Sequence, residues 1–178
     1  MHDSAPVLSR LTTVYDLTQD RMCVSGEQAD GRICQLWLTR PLLSKLVVAL
    51  TDWLEQQPVA SRAVDAGQTL PQQGQLKNFA QQAEQQSAVQ RLSPSALPVS
   101  GSAAETSWLV TEVNLRLSKE RVLILFHNGR QSAMLPLQPA EGRQWLQILY
   151  NNWSKSDWPV TIWPEWFLPP ELTSSPVH

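Results

Sequence analysis

Short strand-like runs of apolar and polar residues occupy 11–17, 21–28 and 32–38, and the spacing then changes to steps of three and four. Leu42, Leu43, Leu46, Val47, Leu50, Trp53 and Leu54 fall on one side of a helix predicted over about 40–56. Thr39 is its expected N-cap, because a hydroxyl there can accept from a first-turn amide, and Pro41 suits the first turn, where its missing N–H has no consequence. The same succession returns later, with strands at about 107–117, 121–127 and 130–136. A helix near 139–154 follows, with Trp145, Leu146, Ile148, Leu149 and Trp153 as its buried side. Within 107–117, Leu109, Thr111, Val113, Leu115 and Leu117 alternate with polar residues, which predicts one long strand with a core face and a wet face. Residues 122–126 are apolar at every position, so that strand is expected to be central and covered on both sides.

Comparison of the chain with itself shows why the pattern recurs. Leu17, Thr18, Asp20 and Arg21 align with Leu117, Ser118, Glu120 and Arg121 at an offset of 100 residues, and apolar residues follow in both. Tight hairpin signals then arrive at Asp30-Gly31 and Asn128-Gly129, and a proline follows each third strand at Pro41 and Pro139. The expected fold is therefore α+β: a duplicated β-β-β-α unit, related by a pseudo-twofold, forming one antiparallel sheet of about six strands with two packed helices. The expected organisation is a first repeat at 1–57, a linker at 58–106, a second repeat at 107–155 and a strap at 156–178. The matched Asp20-Arg21 and Glu120-Arg121 pairs read either as turn chemistry or as acid–base pairs lining a groove.

The linker is rich in Gln, Pro and Ser, with a helix expected at 75–92 whose apolar stripe is Leu76, Phe79, Ala80, Ala83 and Val89. The rest reads as flexible chain, because its composition buries too little apolar surface to offset ordering it; a helix lying on the sheet is the structured alternative. The strap carries Trp158, Trp163, Trp166 and Phe167 between Pro159, Pro164, Pro169 and Pro170, so it should run extended. Two roles follow for it. It either packs on its own domain, covering the second face of the strand at 122–126, or presents its aromatic residues to a partner.

Composition narrows the function classes. Fourteen Lys and Arg against sixteen Asp and Glu, with no basic surplus in any segment, give no support to a strongly basic nucleic-acid binder. No apolar run is long enough to span a membrane and the first ten residues lack a signal-peptide pattern, which predicts a cytoplasmic location. The two cysteines, Cys23 and Cys34, lie in one hairpin. In the register of a two-residue turn they would sit four residues apart along the ladder, roughly 13 Å and too far for a disulfide. His2 and His178 are terminal, and His127 sits beside a predicted hairpin tip, so no metal-ligand spacing is present and no cofactor is expected. No nucleophile elbow, phosphate loop, dinucleotide fingerprint or zinc-protease motif occurs.

Duplicated units of antiparallel strands followed by a helix resemble the plan of PUR-repeat and Whirly-type single-stranded nucleic-acid binders. The resemblance is one of architecture, with three strands in each copy where those units have four. Three functions are carried forward. The first is a non-enzymatic binding or protein-interaction module, a homodimer or a subunit of a larger assembly, contacting a protein partner through Trp158, Trp163, Trp166, Phe167 and exposed sheet. The second, which the resemblance implies, is single-stranded nucleic-acid binding, with bases stacking on Trp37, Trp108 or a tail Trp. Arg21, Arg32, Arg40, Arg116, Arg121 and Arg130 are its candidate basic groups, led by Arg116 and Arg130. The third is an enzyme whose site assembles only in space.

Overall fold

The computed structural model describes residues 5–59, 70–92 and 97–169. Residues 60–69 and 93–96 of the expected linker, the last residues of the strap, His2 and His178 lie outside the described residues. The chain is α+β, with two sheets and three helices. Strands β1 (Leu8–Asp16), β2 (Arg21–Gln28) and β3 (Ile33–Leu38) pair antiparallel in sequence order, and helix α1 (Arg40–Glu55) follows. After helix α2 (Leu70–Gln90), strand β4 (Thr106–Leu109) adds to β3 in parallel and completes a four-stranded sheet. Strands β5 (Glu112–Leu117), β6 (Val122–His127) and β7 (Ser132–Leu137) form a separate three-stranded antiparallel sheet, followed by helix α3 (Pro139–Trp153).

Two sheets thus replace the single antiparallel sheet of about six strands. The cause lies at Val110-Thr111, where the chain changes partners: the Val110 N–H donates to Trp37 O, and the next N–H, of Thr111, donates to His127 O. The alternation slips there too. Trp108 and Val110 face inward, then Val113 and Leu115, while Leu109 is pushed outward and is 37% exposed. The N-terminus makes a similar exchange at the other seam. Val7 bridges Met134 of β7 in parallel and Pro6 O accepts from the Met134 N–H, before β1 continues on β2. Both sheets and the helices enclose one hydrophobic core centred on Met22, Val24, Leu36, Ile124, Phe126 and Leu135.

The first hairpin is one residue longer than a two-residue turn. Gln28 and Arg32 close a three-residue loop, with Gly31 at φ 82° in the left-handed position such loops require. The register moves accordingly, so Cys23 faces Trp37 and Cys34 faces Gly26. The thiols lie on opposite faces, free and buried, and burial pushes both above the ordinary thiol range. In the second hairpin Gly129 (φ 83°) takes the first central position of a two-residue turn closed by Asn128 and Gln131.

Thr39 occupies the N-cap position of α1, yet its hydroxyl makes no capping bond; its carbonyl accepts the Leu43 N–H instead. At α3 the Glu141 carboxylate accepts the Gln138 N–H. Helices α1 and α3 each reach the other sheet through an indole. Trp53 of α1 donates to Ser118 O in the β5–β6 turn (2.8 Å), and Trp145 of α3 donates to Thr13 Oγ1 of β1 (3.1 Å).

Helix α2 docks by polar contacts, contrary to the stripe expected of it. Phe79 is 70% and Leu76 43% exposed, whereas Gln81, Gln85 and Ala88 are buried. Gln85 donates to Arg143 O, and Gln144 donates to Ala88 O. The Arg143 guanidinium, itself buried, donates to Gln81 and lies 5.4 Å from the Trp166 ring centroid. Glutamine side chains are long enough to hydrogen-bond across a helix pair, so a sequence that looks wet can still be buried.

Candidate functional site

The strap lies over the helices and not over β6. Trp158, Trp163, Trp166 and Phe167 are each at most 8% exposed, in a run of ring contacts with Tyr15, Tyr150 and Trp153 at centroid distances of 4.8–5.7 Å. Prolines hold the strap in short turns that lay one indole after another along α3. Its four aromatic residues are core in this conformation.

One end of the run is fixed by Asp20, whose φ of 51° places it in the left-handed region at the β1–β2 turn. Tyr15 Oη and Trp158 Nε1 both donate to Asp20 Oδ1, each at 2.6 Å. These bonds hold the carboxyl below its usual range and push the Tyr15 phenol up to about 12. The depressed carboxyl stabilises the native chain above the unfolded carboxylate range and ceases to do so as the pH falls through it. The raised phenol weakens the native state as the pH climbs past the ordinary value of 10.0. Asp20→Asn keeps a residue that tolerates this backbone but removes the charge. Tyrosinate absorbance is therefore expected to show one phenol ionising near 12 in the parent and nearer 10 in the variant; identical curves would contradict the assignment.

The sheets leave two kinds of open surface. Alternation and register place Arg116, Leu123 and Pro136 in one row, and Asn114, Leu125 and Met134 in the next, on the face of β5–β6–β7 that points away from the core. The β5 residues are exposed and those of β6 and β7 half-buried, so this face has a half-buried apolar middle with a polar edge along β5. The outward face of β1–β2–β3 is partly covered by the chain itself. Val99, 5% exposed, donates its N–H to Thr12 Oγ1, Arg10 donates to Leu97 O, and Gly101 lies so close to the Gln35 amide that a Cβ there would collide with it. Beyond that cover, Val14, Cys23, Trp37 and Leu109 form one cross-strand row.

The second kind is a cleft of about 480 Å³ where the two hairpin tips meet across the sheets. Arg32 and Arg130 line it from the two tips, each following a left-handed glycine, with Gln28, Gln131, Thr106 and Ser132 beside them. Asp30 and Asn128 hold the turns alike, accepting the backbone N–H of Arg32 and Arg130. Asp30 also pairs with the Arg32 guanidinium at 2.7 Å, whereas an asparagine amide carries no charge to do so for Arg130. Trp108, 7% exposed, lines the cleft as well, and its indole N–H has no acceptor among the described residues. The N–H groups of Trp37, Trp53, Trp145, Trp153, Trp158 and Trp166 all have one, and that of Trp163, buried among the aromatic rings of the strap, has none.

The candidate nucleic-acid residues are thus dispersed. Arg130 and Trp108 share the cleft; Arg116 lies on the second sheet's outward face and Trp37 on the first's, with its N–H on Ser107. Arg21 and Arg121 stand at the opposite end, where β2 begins and just before β6. His127 is half-buried at the end of β6. Among the described residues no three His, Cys, Asp or Glu side chains gather as a metal site, and no helix is long and apolar enough to cross a membrane. The chain matches no known family model, no curated protein and no solved structure.

Proposed function

We propose that this chain is a non-enzymatic interaction module whose partner is an extended segment of another protein, laid across the outward face of β5–β6–β7. The observation that carries this reading is the contrast between the two sheets. On the first, an extended stretch around Val99 crosses the outward face and buries part of it. On the second, Leu123, Leu125, Met134 and Pro136 stand half-open, with no covering element among the described residues. Apolar side chains rimmed by Glu112, Asn114 and Arg116 have the makeup of an interface with an apolar middle and a polar edge. The buried Trp-Pro strap then serves as the rigid backing of the module. We also read the two β-β-β-α stretches as a duplicated unit with pseudo-twofold symmetry. The reciprocal seams at Val7 and Val110 favour it.

Leu125→Glu is the test, because a half-exposed outward residue tolerates a charge at a cost of about 1 kcal/mol or less. A photo-crosslinking amino acid at position 134 in the producing cell is expected to yield a discrete protein adduct, which the added Leu125→Glu abolishes while the melting temperature stays within a few degrees. Absence of an adduct, or one that persists in the Leu125→Glu background, would count against the proposal. An adduct of twice the chain's mass would identify the partner as a second copy.

A further inference from the structure

We propose that the cleft between the hairpin tips is a binding site for a small oxyanion ligand, a molecule carrying a phosphate or carboxylate group. Its lining is rich in donors and holds no carboxylate: two guanidiniums, the Gln28 and Gln131 amides, the Thr106 and Ser132 hydroxyls, and the Trp108 indole. Two of these donors are left open by the protein. Arg130 makes no ion pair with any described residue, because Asn128 stands where Asp30 neutralises Arg32 in the other hairpin. The Trp108 N–H also finds no acceptor among the described residues; the ring borders the cleft, and the N–H, although most of the side chain is buried, stays within reach of solvent. A donor that only water meets is free to be taken up by an anion entering the cleft. Asp30 and the nearby Glu105 act on Arg32, leaving Arg130 as the main positive charge for a ligand. A guanidinium fork takes two oxygens of a planar or tetrahedral anion, and the indole N–H can take a third. The cleft volume lies within the range of small-molecule sites.

None of the apolar residues of the proposed partner face lines this site, and its test is independent. The full chain carries eight tryptophans, so its indole N–H signals in an assigned ¹H–¹⁵N spectrum form a small, resolved set. Titration with inorganic phosphate and, separately, with citrate at constant ionic strength is expected to move the Trp108 signal saturably, with a dissociation constant of about a millimolar or tighter for the better anion. That anion identifies the head group as phosphate or carboxylate. Arg130→Ala, at an exposed turn, should leave the other indole signals in place and weaken binding about tenfold or more. Arg32→Ala should weaken it less, since Asp30 already holds that guanidinium. Linear, non-saturating shifts with both anions, or equal affinity in Arg130→Ala, would overturn the proposal. Leu125→Glu should leave the titration unchanged.

Discussion

A chain ending at residue 155 is expected not to fold. The missing segment holds Trp158, Trp163, Trp166 and Phe167, all buried and all contributing to the single core. Truncating one buried Phe or Trp to Ala typically costs about 3–5 kcal/mol, and a whole domain has a net stability of about 5–15 kcal/mol, so losing four together exceeds what the rest supplies. The damage is not confined to the tail. Trp153 would lose edge-to-face contacts with Trp158 and Trp163, Glu55 would lose the Trp166 indole donor, and Arg143 would lose the ring beside its guanidinium. An uncovered Arg143 would also loosen α2, which it holds through Gln81. Near-ultraviolet circular dichroism should be flat and urea unfolding should lose its cooperative step. A truncated chain that melts cooperatively within a few degrees of the full one would show that the strap is an accessory to the fold and not part of its core.

The element order was open to sequence reading because it depends on local signals. Proline after each third strand, glycine at each hairpin tip and the switch from short strands to three- and four-residue steps all act over a few residues. What escaped is decided at long range. The parity of 107–117 looks unbroken from Leu109 to Leu117, and only the choice of partner, Trp37 before His127, breaks it at Val110-Thr111. The first hairpin's register slipped by one because Asp30-Gly31 suits both a two-residue loop and the three-residue loop it forms. The polar contacts of α2 escaped for a different reason: Gln81 and Gln85 differ in no local way from the exposed glutamines around them until α3 is in place.

The candidate site was legible only in fragments. Arg130 and Trp108 stood out as a cation and an aromatic residue, but their meeting depends on β4 pairing in parallel with β3 and on Pro6 pairing with Met134. Both are pairings between segments far apart in the chain. Thr106, Gln28, Gln131 and Ser132 carry no signal of their own. The difference between Asp30 and Asn128 was visible throughout, and became informative once both turns were seen to face one cleft.

Trp53→Ala is expected to lower stability by about 3–5 kcal/mol, enough to drop the melting temperature by about 10 °C in a chain of this length. The indole is 3% exposed and lies where three elements meet. It belongs to α1, its N–H reaches Ser118 O in the β5–β6 turn, and its ring is so near α3 that a Cβ on Gly142 would come within 3.2 Å of Cζ3. A cavity there cannot be closed by one neighbour without pulling on the other two. Trp53→Phe retains most of the apolar surface and gives up the indole bond, so a smaller loss of about 1 kcal/mol is expected, plus whatever the smaller ring leaves unfilled. Because α1 follows the first sheet in the chain yet is pinned to the second, Trp53→Ala should accelerate amide exchange in β2 and β6 together. Exchange that quickens in β2 while β6 keeps its protection would mean that the sheets open separately, and that the Trp53 bond to Ser118 joins neighbours without coupling them.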